Sequence, residues 1–121
     1  MRTYIGKRVD AACEVWYIDE HGVQRELPLR LEVRNHSPTG FEWGYGGSGP
    51  AQLALALLLN YFESFHPDGN VGAALIMYQA FKFKVIGRLP APGAENGWSM
   101  TTADIRAFVD EFRKADSEST V

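Results

Sequence analysis

The run from Pro50 to Phe65 limits the possible folds of this chain more than any other segment. Leu53, Leu55, Leu57, Leu58, Leu59, Tyr61 and Phe62 leave a helix over these residues with almost no polar face. Such a helix must be covered on every side, so it predicts a central element around which the rest of a domain assembles. The apolar stretch from Ala51 to Leu59 falls well short of the roughly 20 residues a membrane-spanning helix needs. Pro50 suits the first helical turn, where its missing N–H has no intrahelical partner. Ser48 or Gly49 is the expected N-cap, and His66-Pro-Asp-Gly69 ends the helix.

The cover for this helix is expected from strands before it and helices after it. Residues 3–9 read as a short strand that offers Ile5 and Val9 to a core. Residues 12–18 are β-branched and aromatic enough for a second strand. Asp19-Glu-His-Gly22 is a turn in which glycine can take a positive φ. Leu27, Leu29, Leu31 and Val33 alternate with Pro28, Arg30, Glu32 and Arg34, the period of a half-buried third strand paired to the second as a hairpin. Residues 70–81 form a second helix. Phe81, Phe83 and Val85 then alternate with Lys82, Lys84 and Ile86, which predicts a fourth strand. A Pro/Gly loop from Leu89 to Gly97 follows. Thr101-Thr-Ala-Asp104 has the form of a capping box, flanked by Met100 and Ile105 as a hydrophobic staple, and opens a last helix whose inner stripe is Ile105, Phe108, Val109 and Phe112. The order β-β-β-loop-α-α-β-α predicts a single α+β domain over residues 1–115, with an antiparallel sheet of three to four strands covered by helices on one face. Residues 116–121 read as a flexible acidic and polar tail.

A chain of 121 residues with 45% hydrophobic and 22% charged residues has the make-up of one ordinary globular domain. The net charge of -3 disfavours nucleic acid as a partner. The first residues lack the apolar stretch of a secretory signal. Cys13 is the lone cysteine and reads as an inert thiol suited to a reducing cytoplasm. His21, His36 and His66 are scattered, so no metal site and no cofactor is expected.

Chemistry is expected in the segment that leads into the apolar helix. Residues 37–52 hold Gly40, Gly44, Gly46, Gly47 and Gly49, with Phe41, Trp43 and Tyr45 among them. Ordering so much glycine is entropically costly. The glycines imply a backbone that must take a special shape or approach a ligand closely. Backbone N–H groups at the start of a helix can face an anion, although the spacing matches neither common phosphate-binding signature. Phe41, Trp43 and Tyr45 share one face if the segment is extended, which would make a stacking platform; the competing reading is a set of core aromatics. The candidate binding residues are therefore Ser37, Thr39, Phe41, Trp43, Tyr45, Gly46, Gly47, Ser48 and Gly49. His36 and Glu42 are the titratable neighbours and the candidate acid–base pair if the chain is an enzyme.

The run Ser37-Pro-Thr-Gly-Phe-Glu-Trp-Gly-Tyr-Gly-Gly-Ser-Gly-Pro-Ala-Gln-Leu-Ala-Leu-Ala56 resembles the signature of an uncharacterised bacterial and mobile-element family. Tyr4-Ile-Gly6, Tyr78-Gln-Ala-Phe81-Lys and Trp98 extend the likeness over most of the chain. The resemblance implies a small intracellular accessory protein and no established activity. The leading expectation is a binding or regulatory protein. It would use the loop over residues 36–49 and the following helix terminus to hold an anionic small molecule or a protein partner, for example to inhibit a host defence system. The alternatives are an enzyme acting on a nucleotide-like or acyl substrate through His36 and Glu42, and a structural module without a ligand.

Overall fold

The computed structural model describes residues 1–10, 12–90 and 97–119. Most of the Pro/Gly loop expected before residue 97, and the last two residues of the expected tail, lie outside them. Strands β1 (Thr3–Val9), β2 (Ala12–Ile18) and β3 (Gln24–Glu26) are followed by helices α1 (Ser48–Glu63) and α2 (Val71–Lys84), a 3-10 turn (Ile86–Arg88), strand β4 (Trp98–Thr101) and helix α3 (Thr102–Ser119). The four strands form one antiparallel sheet in the order β3-β2-β1-β4. The α+β class and the order of elements are as the sequence predicts.

The sheet's inner face is set by register. Tyr4 lies opposite Tyr17 and Met100, and Gly6 opposite Val15 and Trp98. All six are buried. Gly6 is small for a reason: a Cβ there would come within 2.3 Å of the Trp98 indole, which lies across it. Ile5 and Val9, expected in the core, instead belong to the other face or the open end, because Tyr4 and Gly6 take the inward positions of β1. Val9 is exposed, and Ile5 shares the outer face with Trp16, all half-buried or open.

Helix α1 is the central element. Every residue from Gly49 to Phe62 is buried. Each buried leucine contributes roughly 1.5–3 kcal/mol relative to an exposed one. The two polar side chains in this stretch are both used. Asn60 Oδ1 accepts hydrogen bonds from Tyr4 Oη (2.8 Å) and Arg2 Nη1 (2.7 Å), which ties α1 to β1. Gln52, wholly buried, organises the chain that precedes the helix. Its Nε2 donates to the carbonyls of Leu29 (2.6 Å) and Arg34 (3.0 Å), while its Oε1 accepts from the amides of His36 (2.8 Å) and Ser37 (3.2 Å).

This clamp explains why no strand forms over residues 27–33. Strand β3 is only Gln24–Glu26. After Leu27, whose N–H still bonds the Val15 carbonyl (3.1 Å), the chain leaves the sheet. Arg30 adopts φ 63, and the amides of Val33 and Arg34 both turn back to its carbonyl. The alternating leucines bury against the helix from an irregular loop, with Leu27 inside and Leu29 and Val33 packed beside it. Backbone groups that a ladder would have used are satisfied by one glutamine side chain, which period-2 patterning cannot reveal.

The expected strand over Phe81–Val85 is likewise replaced. Helix α2 runs on to Lys84. Ala74, Met77, Tyr78 and Phe81 form its buried stripe at helical spacing, and Phe83 falls on the outer side, 60% exposed. The sheet's fourth strand comes from Trp98–Thr101, whose Trp98 and Met100 cover the inner face. Thr101 then caps α3 as the sequence predicts. Its Oγ1 accepts from the Asp104 amide (3.3 Å), and Asp104 Oδ2 accepts from the Thr101 amide (2.8 Å). Met100 and Ile105 are both buried. Helix α3 continues through Ser119. Among the described residues no helix is long and apolar enough to cross a membrane.

Candidate functional site: two sides of the glycine-rich loop

The loop between Ser37 and Gly49 is divided at Gly44. Phe41 and Trp43 point inward and are buried, and Trp43 packs edge-to-face on Trp98 with ring centroids 5.6 Å apart. Gly44 then takes φ 86, a left-handed conformation that glycine adopts without strain. Its amide donates to the Ile86 carbonyl (3.0 Å), and the turn sends Tyr45 outward, 51% exposed. The row of three aromatics therefore makes no common platform. Two of them belong to the core, and one reaches solvent.

The second half of the loop packs against the end of α2. A Cβ on Gly46 would sit 3.2 Å from the Phe83 ring. A Cβ on Gly87 would sit 3.1 Å from the carbonyl oxygens of both Tyr45 and Lys82. The exposed rings of Phe83 and Tyr45 thus lie against the neighbouring residues Gly46 and Gly47. Lys82 places its ammonium 4.1 Å from the Phe83 ring centroid, and Lys84 and Arg88 lie on the same segment, exposed. Helix α1 begins here with Gly47 as its N-cap, one residue earlier than expected, and no side chain caps it. Gly47 itself has φ -100, so it is extended and not left-handed. Its smallness accommodates the Tyr45 ring, which a Cβ would meet at 2.4 Å. Among the described residues no hydrogen bond is made by the amides of Tyr45, Gly46, Gly47, Ser48 or Gly49. These amides lie at the positive end of the α1 dipole, with Lys84 and Arg88 exposed on the neighbouring segment, Lys82 buried beneath it and the Glu42 side chain packed against Gly49.

The first half of the loop faces the sheet. Ser37 Oγ donates to the Gly40 carbonyl (2.7 Å), and Thr39 is exposed at the rim. Between this segment and β2 lie a cavity of about 490 Å³ and a second of about 280 Å³. Both are bordered by Cys13, Thr39, Gly40 and Phe41, so they form one cleft.

His36 and Glu42 are drawn to different partners. His36 Nε2 lies 2.8 Å from Tyr78 Oη, and its backbone is held by Gln52. Glu42 Oε2 accepts a hydrogen bond from the Cys13 thiol (3.2 Å). Among the described residues no hydrogen bond joins His36 to Glu42. Burial raises the Cys13 thiol to about 11, and the hydrogen bond to Glu42 and the carboxylate's charge add to the rise; Arg8 opposes it weakly. The thiol is thus a protonated donor and a poor nucleophile at neutral pH. Sequence reasoning missed the Cys13–Glu42 pair, because nothing local signals a contact across 29 residues. Among the described residues no three of His, Cys, Asp and Glu converge to hold a metal ion.

The chain belongs to a family of unknown function, DUF6166, whose model matches residues 4–111. This agrees with the resemblance carried by the loop signature. No curated protein and no solved structure matches the chain.

Proposed function

We propose that this protein is a small binding protein whose contact surface is the exposed tip of the glycine-rich loop together with the end of α2, and that its partner is an acidic surface of another protein. One observation carries the reading: two large rings stand exposed, Phe83 against Gly46 and Tyr45 against Gly47, beside unbonded amides and on the segment that carries the exposed cations Lys84 and Arg88. Aromatic side chains are strong anchors at protein interfaces, and free amides with lysines and arginine favour carboxylates. A small anionic ligand suits the surface less well, because the two cavities are lined by other residues.

The test is a nuclear magnetic resonance titration of the labelled protein with a capped octapeptide of glutamate, inorganic phosphate and adenosine triphosphate. The expected result is movement of the Tyr45–Gly49 and Phe83 amides by the glutamate peptide beyond that caused by phosphate. The double variant Tyr45→Ala, Phe83→Ala should fold as the parent does and lose the effect. Stationary amides in this segment with all three anions would refute the proposal.

A further inference from the structure

The cleft beside the first half of the loop has a feature that the exposed tip lacks, an unpaired strand edge. Strand β2 extends to Ala12, but β3 ends at Glu26 and its side of the ladder stops at the Leu27 N–H bonded to the Val15 carbonyl. Pro28 follows, and Gln52 draws the Leu29 carbonyl away from the sheet. Residues two apart in an antiparallel strand direct their backbone groups the same way. Cys13 therefore presents its N–H and C=O on the side of β2 away from β1, and among the described residues no hydrogen bond uses them. The cavity of about 490 Å³ runs along this edge. Cys13, Glu14, Val15 and Trp16 form one wall, Leu27 and Leu29 one end, and Thr39, Gly40 and Phe41 the facing wall.

The charged side chains that line the cleft are acidic: Glu14 and Glu26 in the larger cavity and Glu42 in the smaller. Two cations stand at its margin, Arg8, whose Nη1 lies 3.5 Å from Cys13 Sγ, and Lys7, the cross-strand partner of Glu14. Glu26 is the direct cross-strand partner of Trp16, and Glu14 is two residues from it, so both carboxylates flank the half-buried indole on one face. An indole between carboxylates suits an ammonium or guanidinium group.

We propose that this cleft binds an extended, basic segment of a partner protein, which adds to β2 in line with β3. The segment's backbone would pair with the Cys13 amide and carbonyl. Its alternate side chains, lysine or arginine, would reach Glu14, Glu26 and the face of Trp16. Main-chain pairing supplies affinity in such strand addition, and the side-chain environment supplies selectivity. The site is distinct from the exposed tip and shares no residue with it, so the two readings stand or fall separately.

Residue-resolved titration tests the proposal. The probes are a capped hexapeptide alternating valine and lysine, its counterpart with glutamate for lysine, the lysine peptide methylated on alternate backbone nitrogens, and spermine. The expected result is that the lysine peptide shifts the amides of residues 12–16 and 39–42 and slows hydrogen exchange at Cys13. The glutamate peptide leaves these amides in place, and backbone methylation weakens binding by about tenfold or more. The double reversal Glu14→Lys, Glu26→Lys should abolish binding; it sets a second lysine against Lys7 across the ladder and should lower the melting temperature slightly, so retention of the parent's amide spectrum is the check on folding. Glu14→Gln with Glu26→Gln avoids that clash, should keep the melting temperature and should weaken binding in part. Three results overturn the proposal: no shift of these amides at millimolar lysine peptide, equal binding of the glutamate peptide here, or equal binding of the methylated peptide or spermine. The last would mark a trap for cations and not a strand-binding edge.

Discussion

Replacing Gln52 by methionine removes four hydrogen bonds while nearly preserving side-chain volume. The amide donates to Leu29 and Arg34 and accepts from His36 and Ser37, at distances from 2.6 to 3.2 Å. Each such bond contributes about 0.5–1.5 kcal/mol net, which sets a range of roughly 2–6 kcal/mol for the four. Part of this is recovered. The segment over residues 34–37 is half-exposed to exposed, so some released groups find water, and methionine gains a little from apolar burial. A loss of about 3 kcal/mol is expected, read as a lower urea midpoint at unchanged slope and a fall in melting temperature of roughly 10 °C. Gln52→Glu separates hydrogen bonding from packing. One carboxylate oxygen still accepts from His36 and Ser37, but the other faces two carbonyls with no proton to donate. Protonation restores one donor, so the folded state raises this carboxyl above the unfolded value of about 4.3. The variant should then be relatively most stable at low pH and lose stability as pH rises through the raised value. A Gln52→Met loss below about 1 kcal/mol, or a Gln52→Glu variant whose deficit does not depend on pH, would refute the claim that this amide holds the loop.

Gly6→Val should destabilise by about 1–3 kcal/mol or more, because its Cβ would collide with an indole fixed against Trp43; chemical denaturation measures it, and a neutral result would mean Trp98 moves freely. Asp19 is held at about 2, chiefly by Arg25, with the Val23 and His21 amides also bonding the carboxylate. A depressed carboxyl adds stability above its unfolded value and loses it as pH falls, so the melting temperature of the parent should drop between about pH 4 and 2 more steeply than that of Asp19→Asn. At pH 8 the Cys13 thiol should react with iodoacetamide roughly a hundredfold more slowly than an unperturbed thiol, since its value has risen from 9.0 to about 11. Glu42→Gln should speed that reaction, and equal rates in the two proteins would exclude the carboxylate as a cause.

Elements defined by local physics were legible in advance. The apolar helix, the Asp19–Gly22 turn with Gly22 at φ 77, and the reciprocal cap of Thr101 and Asp104 each depend on neighbours within a few residues. The two misplaced strands share one cause. Alternation over a few residues, as in Leu27–Val33 or Phe81–Val85, fits an irregular loop or a helix end as readily as a strand, and what lies outside those few residues decides between them. For Leu27–Val33 it is the distant Gln52 side chain. For Phe81–Val85 it is the buried stripe of the preceding helical turns, Ala74, Met77, Tyr78 and Phe81. The loop was correctly singled out as unusual, but its division at Gly44 depends on a bond to Ile86, far along the chain.

Residue order alone dictated a buried central helix, an α+β arrangement around it and a costly glycine run at its entrance, because burial and backbone entropy act locally and leave a pattern. Contacts across the fold decided which aromatics are core and which are surface, that Cys13 faces Glu42, and that β2 keeps an open edge. Those outcomes turn on single long-range hydrogen bonds and close approaches, whose partners are named nowhere in the local pattern.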